Sequence, residues 1–449
     1  MNEVRRSTLQ VEGNAQNFVP RQRRTAMNRC CQKTLIASLA ALVYFGINLL
    51  AIQYMDERNG VFDGNLSPHG NHWPVAQQIM HGEALTNFRY PPGFSIYLIA
   101  AVKAAELWGG SYFFWRLMQD CLSTVVTSLL ITTLMSRFID SAWVIWGANI
   151  LLIYNLTYTA GTASDLVMAS FLPWFYGGLL LLIQSLQDGS KKQAAHAFLA
   201  GILLALSGFI RPDILLFLPF LTLVFPLAIF LQRIRLIQRF PAASSNLACF
   251  SHALLGFGVI LVPWIVFSSM RSRSLVVYST GFVFSHIDGM SRFPGNPVSE
   301  AFRMLLLNLS PVALFRIKLV DVISMHYRLI NQYPWDWIVL WLQKIWHPWY
   351  ASDSERWNVI LLMQTLLILP AVLSGSCLWW KTRGLDLAFI IALSTIIYFW
   401  LVSLAVLSIN RYMPPVYPFL GMFAGLAIEL RWPRRFSDGS FNLTAEHGR

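Results

Sequence analysis

The chain has 449 residues, of which 55% are hydrophobic and only 12% charged, whereas soluble domains carry about 25% charged residues. With a mean hydropathy of +0.51, a soluble globular protein is excluded. The net charge of +12 is spread along the chain instead of gathered in one basic domain, which argues against a nucleic-acid binder.

The apolar residues fall in runs long enough to cross about 30 Å of hydrocarbon, where every backbone polar group must be paired within the segment, so the runs are read as helices. In chain order, spans are expected at about 34–54, 113–136, 142–158, 165–186, 194–210, 214–232, 252–270, 358–380, 387–409 and 413–430. The fold class is therefore an all-α polytopic transmembrane helix bundle of about 10 to 12 spans, ten being the working count, with interfacial helices in two outer loops. The units are a basic cytosolic tail (1–33), an N-terminal transmembrane catalytic module (34–270) containing an outer loop (55–112), a large outer loop (271–357), C-terminal transmembrane helices (358–430) and a cytosolic tail (431–449). The first span is preceded by a long polar stretch and exceeds a signal-peptide core, so it is expected to be retained.

Orientation follows from Lys and Arg, which are held on the cytoplasmic side. A basic N-terminal tail inside places Arg137, Lys191 with Lys192, Arg233 with Arg235 and Arg239, Lys381 with Arg383, and Arg431 with Arg434 and Arg435 inside as well. This agreement requires the apolar helix at about 91–108, with Lys103 and Glu106, to lie at the outer interface or re-enter. The placement expected is an inner (plasma) membrane, with the active site on the outer face and both termini cytoplasmic. Cysteines 30, 31, 121, 249 and 377 all avoid the outer loops, so no disulfide framework is implied. Cys30 and Cys31 beside the first span are candidates for palmitoylation, or two inert thiols.

Function is expected in the two long loops, since the other connections are short. Trp335, Trp337, Trp341, Trp346 and Trp349 in the second loop read as an interfacial helix, because indole favours the headgroup zone. A sugar-stacking platform is the alternative. No P-loop or GxGxxG signature is present, and His69, His72 and His81 match no metal spacing. No cofactor is implied; a divalent metal is permitted but has no supporting motif. Arg116 with Asp120, at i and i+4, and Arg211 with Asp213 around Pro212, read as structural pairs.

The first loop places Asp56, Glu57 and Asp63 after the first span, then a short helix with Ala76, closed by Gly82, then Arg89-Tyr90-Pro91-Pro92-Gly93. Later come an Arg-Leu helix (Arg116-Leu117), Asp165 in a second acidic position, a glycine-rich span ending in Arg211-Pro212, Pro263-Trp264, and Arg411-Tyr412 before Pro414. In this order and sidedness the chain resembles the glycosyltransferase C superfamily. The likeness is to its polyprenyl-phosphate-sugar-dependent transferases of the protein O-mannosyltransferase (family 39-like) and lipid A aminoarabinose transferase kind. One departure is that the family's Asp-Glu-x-x-Tyr lies close to the Ala helix, whereas Asp56-Glu57 is about twenty residues away and His72 stands where the tyrosine falls.

The resemblance implies sugar transfer from a polyprenyl-phosphate donor to a hydroxyl of a protein, lipid or glycan acceptor, a hexosyl or pentosyl transfer with membrane lipids as surroundings and no nucleic acid. The phosphate leaves as a stabilised anion, so a base matters more than an acid, and a single carboxylate base at the attacking hydroxyl predicts inversion. Asp63 is the first choice and Asp56 the second, with Glu57 and Asp165 as further catalytic candidates; Asp165 is otherwise a helix N-cap. Donor phosphate or sugar would be held by Arg89, Tyr90, His72, Arg271, Arg292, Arg411 and Tyr412, with Arg411 the best single candidate. Two other readings are a transporter or flippase of lipid-linked sugars, against which no internal duplication is visible, and a non-catalytic homologue.

Overall fold

The computed structural model describes residues 31–50, 72–85, 91–139, 141–159, 167–187, 192–233, 243–272, 281–308, 317, 319–351 and 358–431. Among these residues there is no β-strand. Seven helices are long and apolar enough to cross a membrane: α1 (Cys31–Leu50), α4 (Tyr112–Phe138), α7 (Met168–Gln187), α8 (Gln193–Ile210), α10 (Ala243–Ser272), α15 (Asn358–Arg383) and α16 (Leu387–Ala405). Shorter apolar helices α5 (Ala142–Tyr154), α9 (Phe217–Arg233) and α17 (Tyr417–Arg431) occupy the other three expected positions. Helices α2 (Trp73–Met80), α3 (Gly93–Trp108), α6 (Leu156–Thr159), α11 (Gly281–Met290), α12 (Pro297–Asn308), α13 (Leu319–Gln332) and α14 (Pro334–Tyr350) lie in the connections.

Several helices are shorter than expected, each for a local reason. Asn155 ends α5 and its side chain accepts from the Tyr158 backbone amide, closing the single turn α6. Ser408, at φ 51°, reverses the chain after α16, and the Pro414–Pro415 step delays α17 to Tyr417. Ser111, Ser141 and Asp386 cap α4, α5 and α16 by accepting from backbone amides, the usual way a helix start satisfies its orphan donors.

Helix α4 shows why the bundle belongs in lipid. Arg116, Asp120, Thr124, Thr127, Ser128 and Thr132 face inward and are buried, whereas Leu122 is 65% exposed. Polar groups are satisfied inside: Ser128 donates to Asn149 Oδ1 (2.7 Å), and Asn149 donates to Thr132 (3.1 Å). This inside-out polarity suits hydrocarbon surroundings and would be unfavourable in water. Close helix packing uses small residues: a Cβ at Gly147 would lie 2.5 Å from the Gly421 carbonyl oxygen, so α5 and α17 touch backbone to backbone.

The up-and-down course brings alternate connections to one end. There, Asn155 bonds Asn410 (2.8 Å), Asn48 donates to the Thr159 carbonyl, and Arg211 donates to the Arg411 carbonyl (3.0 Å). At the other end Arg383 donates to the Phe138 carbonyl (2.8 Å). Both ends of α3 sit at the first end, Gly93 against the last turn of α8 and Trp108 against Trp115 at the start of α4.

Candidate functional site

At this end the chain's long connections are anchored on a few buried polar residues. Gly93 opens α3 against α8, where a Cβ would lie 2.6 Å from the Phe209 carbonyl oxygen, so a larger residue would separate the two helices. Phe209 packs edge-on to Trp264 (5.5 Å), and Leu85 packs on the same Trp264, linking α8, α10 and the segment after α2. His72 caps this arrangement: its ring meets Phe94 edge-on at 4.9 Å, and its carbonyl accepts from Ser95 Oγ (2.9 Å).

Arg211 leaves α8 in an extended conformation that Pro212 favours, and it is 4% exposed. Its guanidinium donates from Nε to Asp213 Oδ1 (2.8 Å), from Nη1 to Met168 Sδ (2.8 Å) and from Nη2 to the Arg411 carbonyl (3.0 Å). The rings of Phe171 and Tyr412 lie 4.9 and 5.0 Å from its Cζ. Tyr398 donates its hydroxyl to the Asp213 carbonyl. Asp213 Oδ2 is buried with no hydrogen-bond partner among the described residues. Arg211 is thus fully engaged in fixing the start of α7, the turn after α8 and the turn before α17. It reads as a positioning group for the turn that carries the half-buried Arg411, whose guanidinium lies over the Tyr412 ring (5.7 Å).

A second anchor is Asn410. It accepts from Asn155 Nδ2 (2.8 Å) and donates to Pro348 O (3.2 Å), Trp349 O (3.4 Å) and Tyr417 Oη (3.0 Å). Its own backbone amide donates to Ala351 O (2.8 Å). One side chain therefore fastens α5, α14 and α17 beside Arg411.

The described residues within 281–350 form a small helical module with its own core of Ile287, Met290, Phe293, Val298, Phe302, Val322, Leu329 and Leu340. It docks on the turn after α16 through His286 to Ala405 O (2.6 Å), the fully buried Lys344 to Val406 O (3.2 Å) and His347 to Ser408 O (2.6 Å). These are carbonyls that a helix end leaves without intrahelical partners. Gly289 fits against them because a Cβ there would overlap the Val406 carbonyl. Burial pushes the Lys344 ammonium down to about 7. Trp337 and Trp341 pack on the module core, whereas Trp335 and Trp346 are exposed.

Of the residues singled out from the sequence, Asp56, Glu57, Asp63, Arg89, Tyr90 and Asp165 lie outside the described residues. Residues near them in sequence are at this same end: Asn48 donates to the Thr159 carbonyl, Leu85 packs on Trp264, Gly93 lies against Phe209, and Met168 accepts from Arg211. Arg411 and Tyr412 are brought together with Arg211. Arg292 is bound to Asp288 (3.0 Å) within the module, and Arg271 is exposed at the end of α10. The Arg116–Asp120 pair closes at 2.9 Å, buried, and Asp120 also accepts from Tyr97 (2.8 Å). Asn155, Asn410, Tyr398, Lys344, His286 and His347 were not singled out. The signal for the asparagines was available, because an amide in an apolar segment is costly unless bonded. Among the described residues no three His, Cys, Asp or Glu side chains cluster to hold a metal ion.

No family model and no curated protein matches the sequence. The described architecture does match solved structures. The archaeal oligosaccharyltransferase AglB from Archaeoglobus fulgidus, solved with an inhibitory peptide and a dolichol-phosphate, superposes with TM-score 0.55 at 11% identity, covering 89% of this chain and 50% of that one. The chain shares the membrane helical fold of that oligosaccharyltransferase. ArnT from Cupriavidus metallidurans, solved with undecaprenyl phosphate, aligns with TM-score 0.45 at 15% identity over 88% of this chain and 59% of that one. The chain thus spans about half the length of the oligosaccharyltransferase and under two thirds of ArnT.

Proposed function

We propose that the protein is a membrane glycosyltransferase that moves a sugar from a polyprenyl-phosphate donor to an acceptor hydroxyl on the extracytoplasmic side. The observation that carries this reading is the Arg211–Arg411 arrangement. A desolvated arginine holds the backbone of a second, half-buried arginine at the end where Asn48, Thr159 and Met168, described residues near the acidic stretches in sequence, are bonded.

In this reading the Arg411 guanidinium binds the donor phosphate and stabilises the charge that grows on it as the anomeric bond breaks. Arg211 engages three partners, so the turn carrying Arg411 is set before substrate arrives and need not reorganise. A first-loop carboxylate, Asp63 or Asp56, takes the proton of the acceptor hydroxyl as it attacks the anomeric carbon from the side opposite the phosphate, giving inversion. Asp165 and Glu57 orient acceptor or sugar, and His72, Arg89 and Tyr90 help to hold the donor phosphate or sugar. The acceptor is a protein, lipid or glycan hydroxyl.

The test uses the purified protein in nanodiscs with radiolabelled polyprenyl-phosphate hexose or pentose and a panel of acceptors. Transfer by the wild type that is lost in Arg411→Gln and in one of Asp63→Asn or Asp56→Asn supports the reading. Undiminished transfer in both carboxylate variants would remove the base mechanism. Binding and translocation of the donor with no transfer to any acceptor would favour a carrier instead.

A further inference from the structure

The docking of the 281–350 module contains a hydrogen-bond chain whose proton positions are fixed by its ends. His286 Nδ1 faces the Ala405 carbonyl (2.6 Å), which can only accept, so Nδ1 carries hydrogen. Trp337 Nε1, which can only donate, faces His326 Nδ1 (3.2 Å), so that nitrogen is bare. The two Nε2 atoms lie 2.8 Å apart, and one bond forms if His326 donates and His286 accepts. Both rings are then neutral and every contact is a hydrogen bond. An added proton can enter only at His286 Nε2, setting two N–H groups against each other, or at His326 Nδ1, opposing the Trp337 N–H. Either entry turns a bond into a repulsion.

We propose that His286 and His326 form a proton-operated latch, closed while both rings are neutral, that holds α13 against α11 and α14 within the outer helical module and releases it in acid. The surroundings favour the neutral pair. Lys344 on α14 is the cation that acts on both rings, and burial together with that charge pushes each histidine down to about 4. From α12 the pair meets the Phe302 ring; Glu300 and Arg303 there pair with each other in the open. On α11, Asp288 is two residues from His286, off its face, and is bound to Arg292. On α13, Asp321 and Arg328 are exposed. On α14, Asp336 contributes its carbonyl to Asn296, and His347 is bound to Ser408 O. The turn itself presents carbonyls and Ser408, with no ionisable side chain between Ala405 and Asn410. The C-terminal dipole of α16 opposes the effect by favouring positive charge, but no carboxylate is bonded to either ring among the described residues. With folded values below the usual 6.5, the latch is fully closed above about 6.5 and opens progressively as pH falls toward about 4.

The latch concerns packing within the module and rests on no assumption about the reaction. Hydrogen–deuterium exchange of the full-length protein in nanodiscs tests it at pH 7.5 and 4.5, each peptide corrected for intrinsic rate and referred to residues 168–187 in the bundle. Protection of 319–332 is expected to fall at least tenfold in acid while the reference holds. In the double variant His286→Asn with His326→Gln, the amides keep the two donors but not the two acceptors and do not titrate, so protection of 319–332 is expected to be the same at both pH values, at or below the wild-type level of pH 7.5. A flat wild-type ratio, or a variant that loses protection in acid in parallel with the wild type, overturns the latch. C2-hydrogen exchange of His286 and His326 in the wild type decides independently if the variant fails to fold its module at pH 7.5. Midpoints well below 6 support the proposal, and ordinary midpoints between 6 and 7 overturn it.

Discussion

Arg211 donates a hydrogen bond from Nη2 to the backbone carbonyl of Arg411, 3.0 Å away and 200 residues later in the sequence. The same guanidinium holds Asp213 and Met168, so the Arg411 turn is fixed by a distant side chain as well as by its own Asn410. Arg211→Ala is expected to leave Asp213 buried without a partner and to lower unfolding stability by about 3 to 5 kcal/mol. Arg211→Lys, a point charge without the planar fork, is expected to fall between, with activity reduced about 10- to 100-fold by misplacement of Arg411. Reversible unfolding in mixed micelles and the transferase assay read the two effects separately.

The Arg116–Asp120 pair should behave as a unit. Asp120→Asn or Arg116→Met alone strands one buried charge and is expected to cost about 3 to 5 kcal/mol. The double variant is expected to cost clearly less than the sum of the two, because the unpaired charge is removed. A double-mutant cycle on unfolding free energy checks this, and simple additivity would contradict it.

Asn410 offers an isosteric test. Asn410→Asp keeps the acceptor for Asn155 but cannot donate to Pro348, Trp349 or Tyr417. It is expected to destabilise as much as Asn410→Ala or more, by about 1 to 3 kcal/mol for each buried carbonyl group left unsatisfied. The loss should appear as faster hydrogen exchange in residues 347–351 and 408–417.

Lys344 gives a pH prediction with a definite sign. Its folded value, about 7, lies below the ordinary 10.5, so between those limits the unfolded chain binds one more proton than the folded one. Stability is therefore expected to rise with pH from about 7 to 10.5, by about 1.4 kcal/mol per unit, and to show no contribution from this group below 7. Lys344→Met should remove that slope. Chemical unfolding of both proteins at pH 7, 8 and 9 measures it.

Gly289→Ala should undock the 281–350 module without disturbing the bundle, since the added methyl meets the Val406 backbone carbonyl and not a movable side chain. The expected result is new proteolytic cleavage within 273–280 or 309–318, with unchanged melting of the transmembrane helices. Resistance equal to wild type would mean that the module can shift without letting go.

The helices were legible because hydrocarbon imposes one strong rule, and all ten expected positions are helical. Their ends were less so: α5 and α16 stop early because Asn155 and Ser408 make tertiary or turn contacts that hydropathy does not register. The i, i+4 spacing of Arg116 and Asp120 announced their pairing. The reach of Arg211 to residue 411 was invisible, since it depends on α8 ending at the level where α17 begins. His286 and His326 carried no signal either, because forty residues separate them in sequence and their partners are a tryptophan and a backbone carbonyl.

The backbone contact of Gly147 with Gly421 has a bearing on biogenesis. Helix α5 enters the bilayer early, yet the surface that receives it is carried by α17, which is synthesised after all the other described helices. Until then, the inserted α5 must be sheltered by lipid, by the insertion machinery or by a provisional neighbour. A ribosome stalled before residue 417 would leave an assembled set of helices with an unfilled seam at Gly147. Quality control that recognises such a seam would distinguish chains that lack α17 from those that carry it without reading the loops at all.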